Sequence, residues 1–268
     1  MSNRLRIGAV VCGAIICSTL VIRAADEIVP NADSLGALVS GSDSSVCPND
    51  MAPVQVSGKT ICYDKFEASA HEDCRHPSPT SAIDSQRNIS LNDCTPVSEE
   101  GGEPWRYINQ TQAAQACALV NKRLPTNAEW YRAALGTPDS EKCFLTEREV
   151  QNNQATDCIS QAGVYHLIGN TWEWTDEMVE NGQYHGRLIP EAGYVSEVDA
   201  DGVALSSSST PSELYNQDYL WSDSEGVFGM IRGGFWGSET DGGLFALNGS
   251  VAPSFASNGV GFRCVKDL

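Results

Sequence analysis

Residues 231–264, IRGGFWGSETDGGLFALNGSVAPSFASNGVGFRC, decide how this chain is read. The stretch opens on Gly233-Gly234 and closes on Gly261-Phe262-Arg263-Cys264, with Trp236, Leu244, Phe245 and Leu247 spaced among small and polar residues. Each of its many glycines would cost a helix about 1 kcal/mol against Ala, so a helix is excluded. The spacing predicts short strands joined by loops, at 244–248 and 260–265. Apolar anchor points separated by free positions describe a displayed surface. The question is whether that surface does chemistry or only binds.

The rest of the chain bounds the answer. Its 268 residues, 41% of them hydrophobic, suffice for a sizeable core and rule out disorder for the bulk. A formal net charge of −18 repels phosphate, which argues against nucleic acid and anionic membrane as partners. Residues 1–25 carry Arg4 and Arg6, an uncharged apolar run, then Arg23-Ala24-Ala25, the pattern of an export signal or an uncleaved N-terminal anchor. Residues 26–46, rich in Ser, Gly, Asp and Ala, read as a linker, and the folded domain is expected over 47–268. Membrane contact is expected only through the N-terminal segment. Eight cysteines lie beyond that segment: Cys47, Cys62, Cys74, Cys94, Cys117, Cys143, Cys158 and Cys264. An even count in an exported chain favours disulfides, without fixing how they pair.

Several elements are legible. Residues 54–56 and 60–63 flank Ser57-Gly58-Lys59 as a hairpin would. Residues 72–102 carry Pro77, Pro79 and Pro96 and read as a long excursion without regular elements, stapled by Cys74 and Cys94. A helix over 111–121 buries Ala113, Ala116, Cys117 and Val120 at helical spacing. A second helix begins on the capping box Thr126–Glu129, buries Trp130, Ala133 and Ala134, and stops at Gly136. Cys143 and Cys158 bound another stapled loop, and 176–223 reads as an acidic insertion most flexible at Ser206 to Ser209.

Four ordered motifs carry a resemblance. Lys122-Arg123-Leu124-Pro125-Thr126 with Glu129-Trp130, then Gly169-Asn170 with Trp172-Glu173-Trp174, then Arg232-Gly233-Gly234, then Gly261-Phe262-Arg263-Cys264, resemble the formylglycine-generating enzyme (sulfatase-modifying factor) family. The resemblance implies an α+β, C-type-lectin-like domain with two short helices, short strands and long loops. It also implies a disulfide between Cys117 and Cys264. The family's enzyme oxidises a substrate cysteine with two cysteines that hold copper(I), a metal suited to thiolates. Those cysteines follow the Gly-Gly pair, whereas residues 235–243 here contain none, so copper chemistry by that route is not expected.

The same segment is similar to the variable proteins of diversity-generating retroelements, which share the fold and the rhythm GG-x-W, G-L-F-x-L, A-P-S and G-F-R-C. Here these are Gly233-Gly234 with Trp236, Gly243-Leu244-Phe245 with Leu247, Ala252-Pro253-Ser254, and Gly261-Phe262-Arg263-Cys264. In that system mutation of adenines turns Asn codons into NNY codons. The matching positions are Phe235, Gly237, Ser238, Asp241, Asn248, Ser250, Val251, Phe255, Ser257 and Gly259, all of types that NNY encodes. Glu239 is not so encoded and must be fixed. The resemblance implies a protein or surface ligand held by 235–259, over fixed Trp236, Phe245, Leu247, Pro253 and Phe262. Phe235, Val251 and Phe255 are then either exposed anchors or ordinary core residues.

One more implication concerns calcium. By motif position His166, Gly169, Thr171 and Glu173 match a calcium loop of the enzyme family, although His166 stands where an oxygen donor belongs. The alternative for Glu173 is a buried acid accepting backbone hydrogen bonds beneath the tryptophans. The reading is therefore an exported, non-catalytic display protein, secreted or anchored at the cell surface. The alternatives are an enzyme or maturation factor acting on another exported protein, or a structural envelope protein.

Overall fold

Ser57 and Gly58 both take left-handed backbone angles, φ 48° and 79°, the geometry of a two-residue turn whose twist matches paired strands. The computed structural model describes residues 46–90, 94–139 and 143–268. It joins β1 (Met51–Val56) to β2 (Lys59–Asp64) across that turn, so the predicted hairpin is present. Short strands β3 (Ser69–Ala70) and β4 (Pro96–Val97) pair separately.

Among the described residues there are three α-helices, and two of them follow from local chemistry. α2 (Gln110–Leu119) and α3 (Asn127–Ala134) each start on a capping box, from Asn109 with Gln112 and from Thr126 with Glu129. The third was not foreseen: α1 (Ala82–Ser90) lies within the stretch read as free of elements. Its buried face is Ser85, Asn88 and Ile89, so it lacks an apolar stripe. Polar contacts hold it instead. Asn88 exchanges two bonds with the His76 backbone (2.8 and 3.0 Å), and Trp105 Nε1 donates to Ser85 Oγ at 3.0 Å.

The large sheet is built from β5 (Trp172–Glu180), β6 (Gln183–Tyr184), β7 (Arg187–Leu188), β8 (Gly193–Val198), β9 (Ala204–Ser208), β10 (Tyr219–Ser222), β11 (Val227–Arg232), β12 (Leu247–Val251) and β13 (Val260–Phe262). Its order is β7-β6-β5-β11-β12-β10-β8-β9, with β13 parallel to β5. β14 (Val265–Asp267) leaves it to pair with β2. The strand expected over 260–265 is thus two strands, because the chain changes sheets at Arg263-Cys264. The strand expected over 244–248 begins only at Leu247, since the Asp218 carboxylate takes the Phe245 N–H at 2.6 Å and holds a turn there.

The serine run corrects a second expectation. Ser206 to Ser208 lie in β9, paired with β8, and their hydroxyls are used locally: Ser196 with Ser206 at 2.8 Å, and Ser207 to the Glu191 carbonyl at 2.7 Å.

Disulfides join Cys47 to Cys62, Cys74 to Cys94, Cys117 to Cys264 and Cys143 to Cys158. Such bonds form and persist in oxidising compartments. Cys117–Cys264 is the pairing that the resemblance implied. The expected export segment and the linker up to residue 45 lie outside the described residues. Among the described residues no helix is long and apolar enough to cross a membrane.

Candidate ligand-binding surface

The surface segment is fastened before it begins. Gly233 has φ +91°, and a Cβ there would stand 2.4 Å from the Leu167 carbonyl oxygen, so only glycine fits. Beneath it, Arg232 lies 4.9 Å from the Trp130 ring. The loop that follows is pinned through its backbone. Trp236 N–H donates to Asn170 O at 3.0 Å and Glu239 N–H to Leu145 O at 3.0 Å. Phe235 N–H donates to Ser238 Oγ at 3.0 Å. These bonds need no particular side chain at 237, 240 or 241.

Register then assembles a pocket. β10 and β12 run parallel with Trp221 beside Asn248, while Trp172 at the start of β5 turns its ring perpendicular to Trp221, centroids 5.4 Å apart. The resulting depression, of about 260 Å³, is lined by Trp172, Trp221, Phe235, Gly237, Ser238, Asp241 and Asn248. Five of these were sequence-derived candidates. Trp172 and Trp221 were not, and only the strand pairing could have found them. An aromatic row leads away from the pocket, Trp221 to Tyr219 (4.8 Å) to Tyr194 (5.1 Å).

The other five candidates do not line it. Ser250 is half-buried and donates from both N–H and Oγ to Asn248 Oδ1 (3.0 and 2.9 Å). Val251 is half-buried against the core, as Phe235 is, so neither is a freely exposed anchor. Phe255 is 39% exposed. Ser257 is half-buried, its carbonyl accepting the Tyr107 N–H. Gly259 is a correction: it is buried, and a Cβ there would come within 2.9 Å of the Phe235 ring, so it supports that ring instead of facing solvent. Of the expected underpinning residues, Leu247 and Phe262 are buried, while Trp236, Phe245 and Pro253 are half-buried.

The four residues matched to a calcium loop do not fit that ion. Glu173 is buried with one oxygen held by Arg263 Nε and the other by Trp130 Nε1 at 2.9 Å. Its donors are thus side chains, where backbone donors were the expected alternative. Arg263 also donates to the carbonyls of Lys65 and Tyr165. A guanidinium neutralises this oxygen-rich interior. His166 is buried with Nε2 2.9 Å from Thr156 Oγ1, and burial pushes its pKa down to about 3, so it stays neutral. Thr171 Oγ1 donates to Glu67 at 2.6 Å, and Gly169 N–H to the Gly233 carbonyl. Copper(I) fares no better, because all eight described cysteines are in disulfides.

Beside this pair lies a group that sequence reasoning missed. Glu67 is wholly buried, accepts Asn170 Nδ2 and Thr171 Oγ1, and is pushed up to about 7 by burial. It couples Asn170 and Thr171, just ahead of β5, to the strand region after β2.

Over 166 residues the chain is 25% identical to the serine/threonine-protein kinase Pkn1 of Chlamydia trachomatis, an overlap of 58% of this chain and 23% of that protein. The chain thus spans about a quarter of the length of the curated relatives it matches. Among solved structures, PvdO from Pseudomonas aeruginosa superposes with TM-score 0.46 at 14% identity, covering 79% of this chain and 82% of that one. The Major Tropism Determinant P3c variant gives TM-score 0.44 at 17% identity, covering 83% and 53%. The architecture is α+β, of the C-type-lectin-like formylglycine-generating-enzyme type. The profile of the sulfatase-modifying factor enzyme 1-like domain matches residues 40–268, and the chain belongs to that family.

Proposed function

We propose that the protein is an exported, non-catalytic display protein that binds a protein or surface ligand through residues 235–259, its C-terminal segment being diversified between copies. The observation that carries this reading is the pocket itself. Five candidate variable positions converge there, all but Asn248 on a loop pinned by the backbone bonds of Trp236 and Glu239, with Ser238 Oγ adding one side-chain bond to the Phe235 N–H. The four disulfides support export. Anchoring against secretion depends on the N-terminal segment.

The test is the genomic locus. A second copy of the coding segment with Asn codons at the variable positions, beside a reverse transcriptase gene, is expected. Gly259 should be constant there, because its backbone carries the Phe235 ring. A locus with neither feature removes diversification from the reading.

A further inference from the structure

We infer that the pocket between Trp172, Trp221, Phe235 and Asp241 receives a cationic side chain, lysine or arginine, of a protein partner. The inference rests on the binding function proposed above and names what that site recognises.

Size comes first. At about 260 Å³ the depression is smaller than the roughly 300–1,000 Å³ of small-molecule sites, so it suits one inserted side chain. Three of its seven lining residues are aromatic. Trp172 and Trp221 stand at 90° to each other, and Phe235 closes a further side. Aromatic faces attract a lysine ammonium or an arginine guanidinium through the ring quadrupole, tryptophan most strongly.

Charge agrees. The lining contains a carboxylate, Asp241, and no cationic residue. Among the described residues no hydrogen bond or ion pair engages that carboxylate. Burial and neighbouring Glu239 push its pKa up, so an arriving cation would relieve the repulsion. The net charge of −18 draws a basic partner towards the domain.

Asn248 favours a peptide over a free amine. Its Oδ1 already accepts from Ser250, which leaves the side-chain amide N–H group as a donor at the pocket. A backbone carbonyl beside the inserted residue is the matching acceptor.

The test titrates the intact protein with short blocked peptides centred on arginine, lysine or citrulline, and with a neutral methyl glycoside. Indole N–H resonances are followed by NMR. Saturable shifts of Trp172 and Trp221 with the arginine or lysine peptide are expected, with citrulline binding about tenfold more weakly, a difference of ~1.4 kcal/mol. Asp241→Asn should weaken arginine or lysine binding by a similar factor. Glu225→Gln, an exposed acid in the β10–β11 turn, should leave it unchanged. Equal binding of citrulline, preference for the glycoside, absence of saturable shifts, or indifference to Asp241→Asn would each overturn the inference. If the locus carries the template copy but the charged peptides fail, the display function stands and only the cation pocket falls. If the peptides bind and the template is missing, diversification falls and the pocket stands.

Discussion

Arg263 and Glu173 form an ion pair in which neither side chain meets solvent, at 0% and 1% exposure. The pair links the end of β13 to β5, while the remaining guanidinium nitrogens hold the Lys65 and Tyr165 carbonyls. One side chain thus ties the large sheet to the segment after β2 and to the loop before β5.

Arg263→Ala leaves a carboxylate buried without its cation and should destabilise the domain by about 3–5 kcal/mol. Arg263→Lys should recover little of this, because an ammonium cannot reproduce three divergent planar contacts. Urea unfolding of the two variants checks both. A loss under about 1 kcal/mol for the alanine variant, typical of an exposed pair, would contradict the burial argument.

Glu67 makes stability depend on pH. Its folded pKa, about 7, lies above the ordinary 4.5. A raised acid favours the folded state fully below its unfolded value, and that contribution is lost as pH rises through the folded value. On the order of 3 kcal/mol should disappear between pH 4.5 and just above 7, since each tenfold change in proton affinity is worth about 1.36 kcal/mol. Glu67→Gln should flatten that dependence, leaving the variant relatively more stable than the parent at about pH 8, above the folded value. Melting curves of both proteins across the range give the difference directly.

The disulfides should rank by the loop they close. Cys117–Cys264 spans 147 residues and Cys143–Cys158 spans 15. On loop-closure entropy, replacing the first pair by alanine should cost about 5 kcal/mol and the second about 3. Denaturation of the two double variants tests the order, and a reversed order would show that packing outweighs entropy at these sites.

How far these features were visible beforehand differs by residue. Thr126 and Glu129 announce α3, because a capping box is local chemistry written four residues long. Asn109 and Gln112 form the same box one step before α2, yet Asn and Gln in place of Ser and Glu hid it. α1 was invisible because its buried face is polar, and β9 because serines are ordinary in loops and become a strand only against Tyr194 and Val195. The pocket was half legible. Phe235, Ser238 and Asp241 share a loop, but Trp172 and Trp221 reach it through pairings between strands far apart in the chain.

Substitution should separate pocket support from display. Gly259→Ala should displace the Phe235 ring and weaken ligand binding while costing stability, since its Cβ would lie 2.9 Å from that ring. Replacing Ser254 or Asn258, both exposed, should change stability by no more than about 0.5 kcal/mol. Thermal melts alongside binding assays distinguish the two kinds of position.

The segment is clasped at each end, by Gly233 lodged under the Leu167 carbonyl and by the sulfur bridge at Cys264. Its points of entry and exit are therefore independent of what lies between them. On the proposed display function, such a span would serve as an interchangeable cassette, its outer face open to change while the clasp at each end holds.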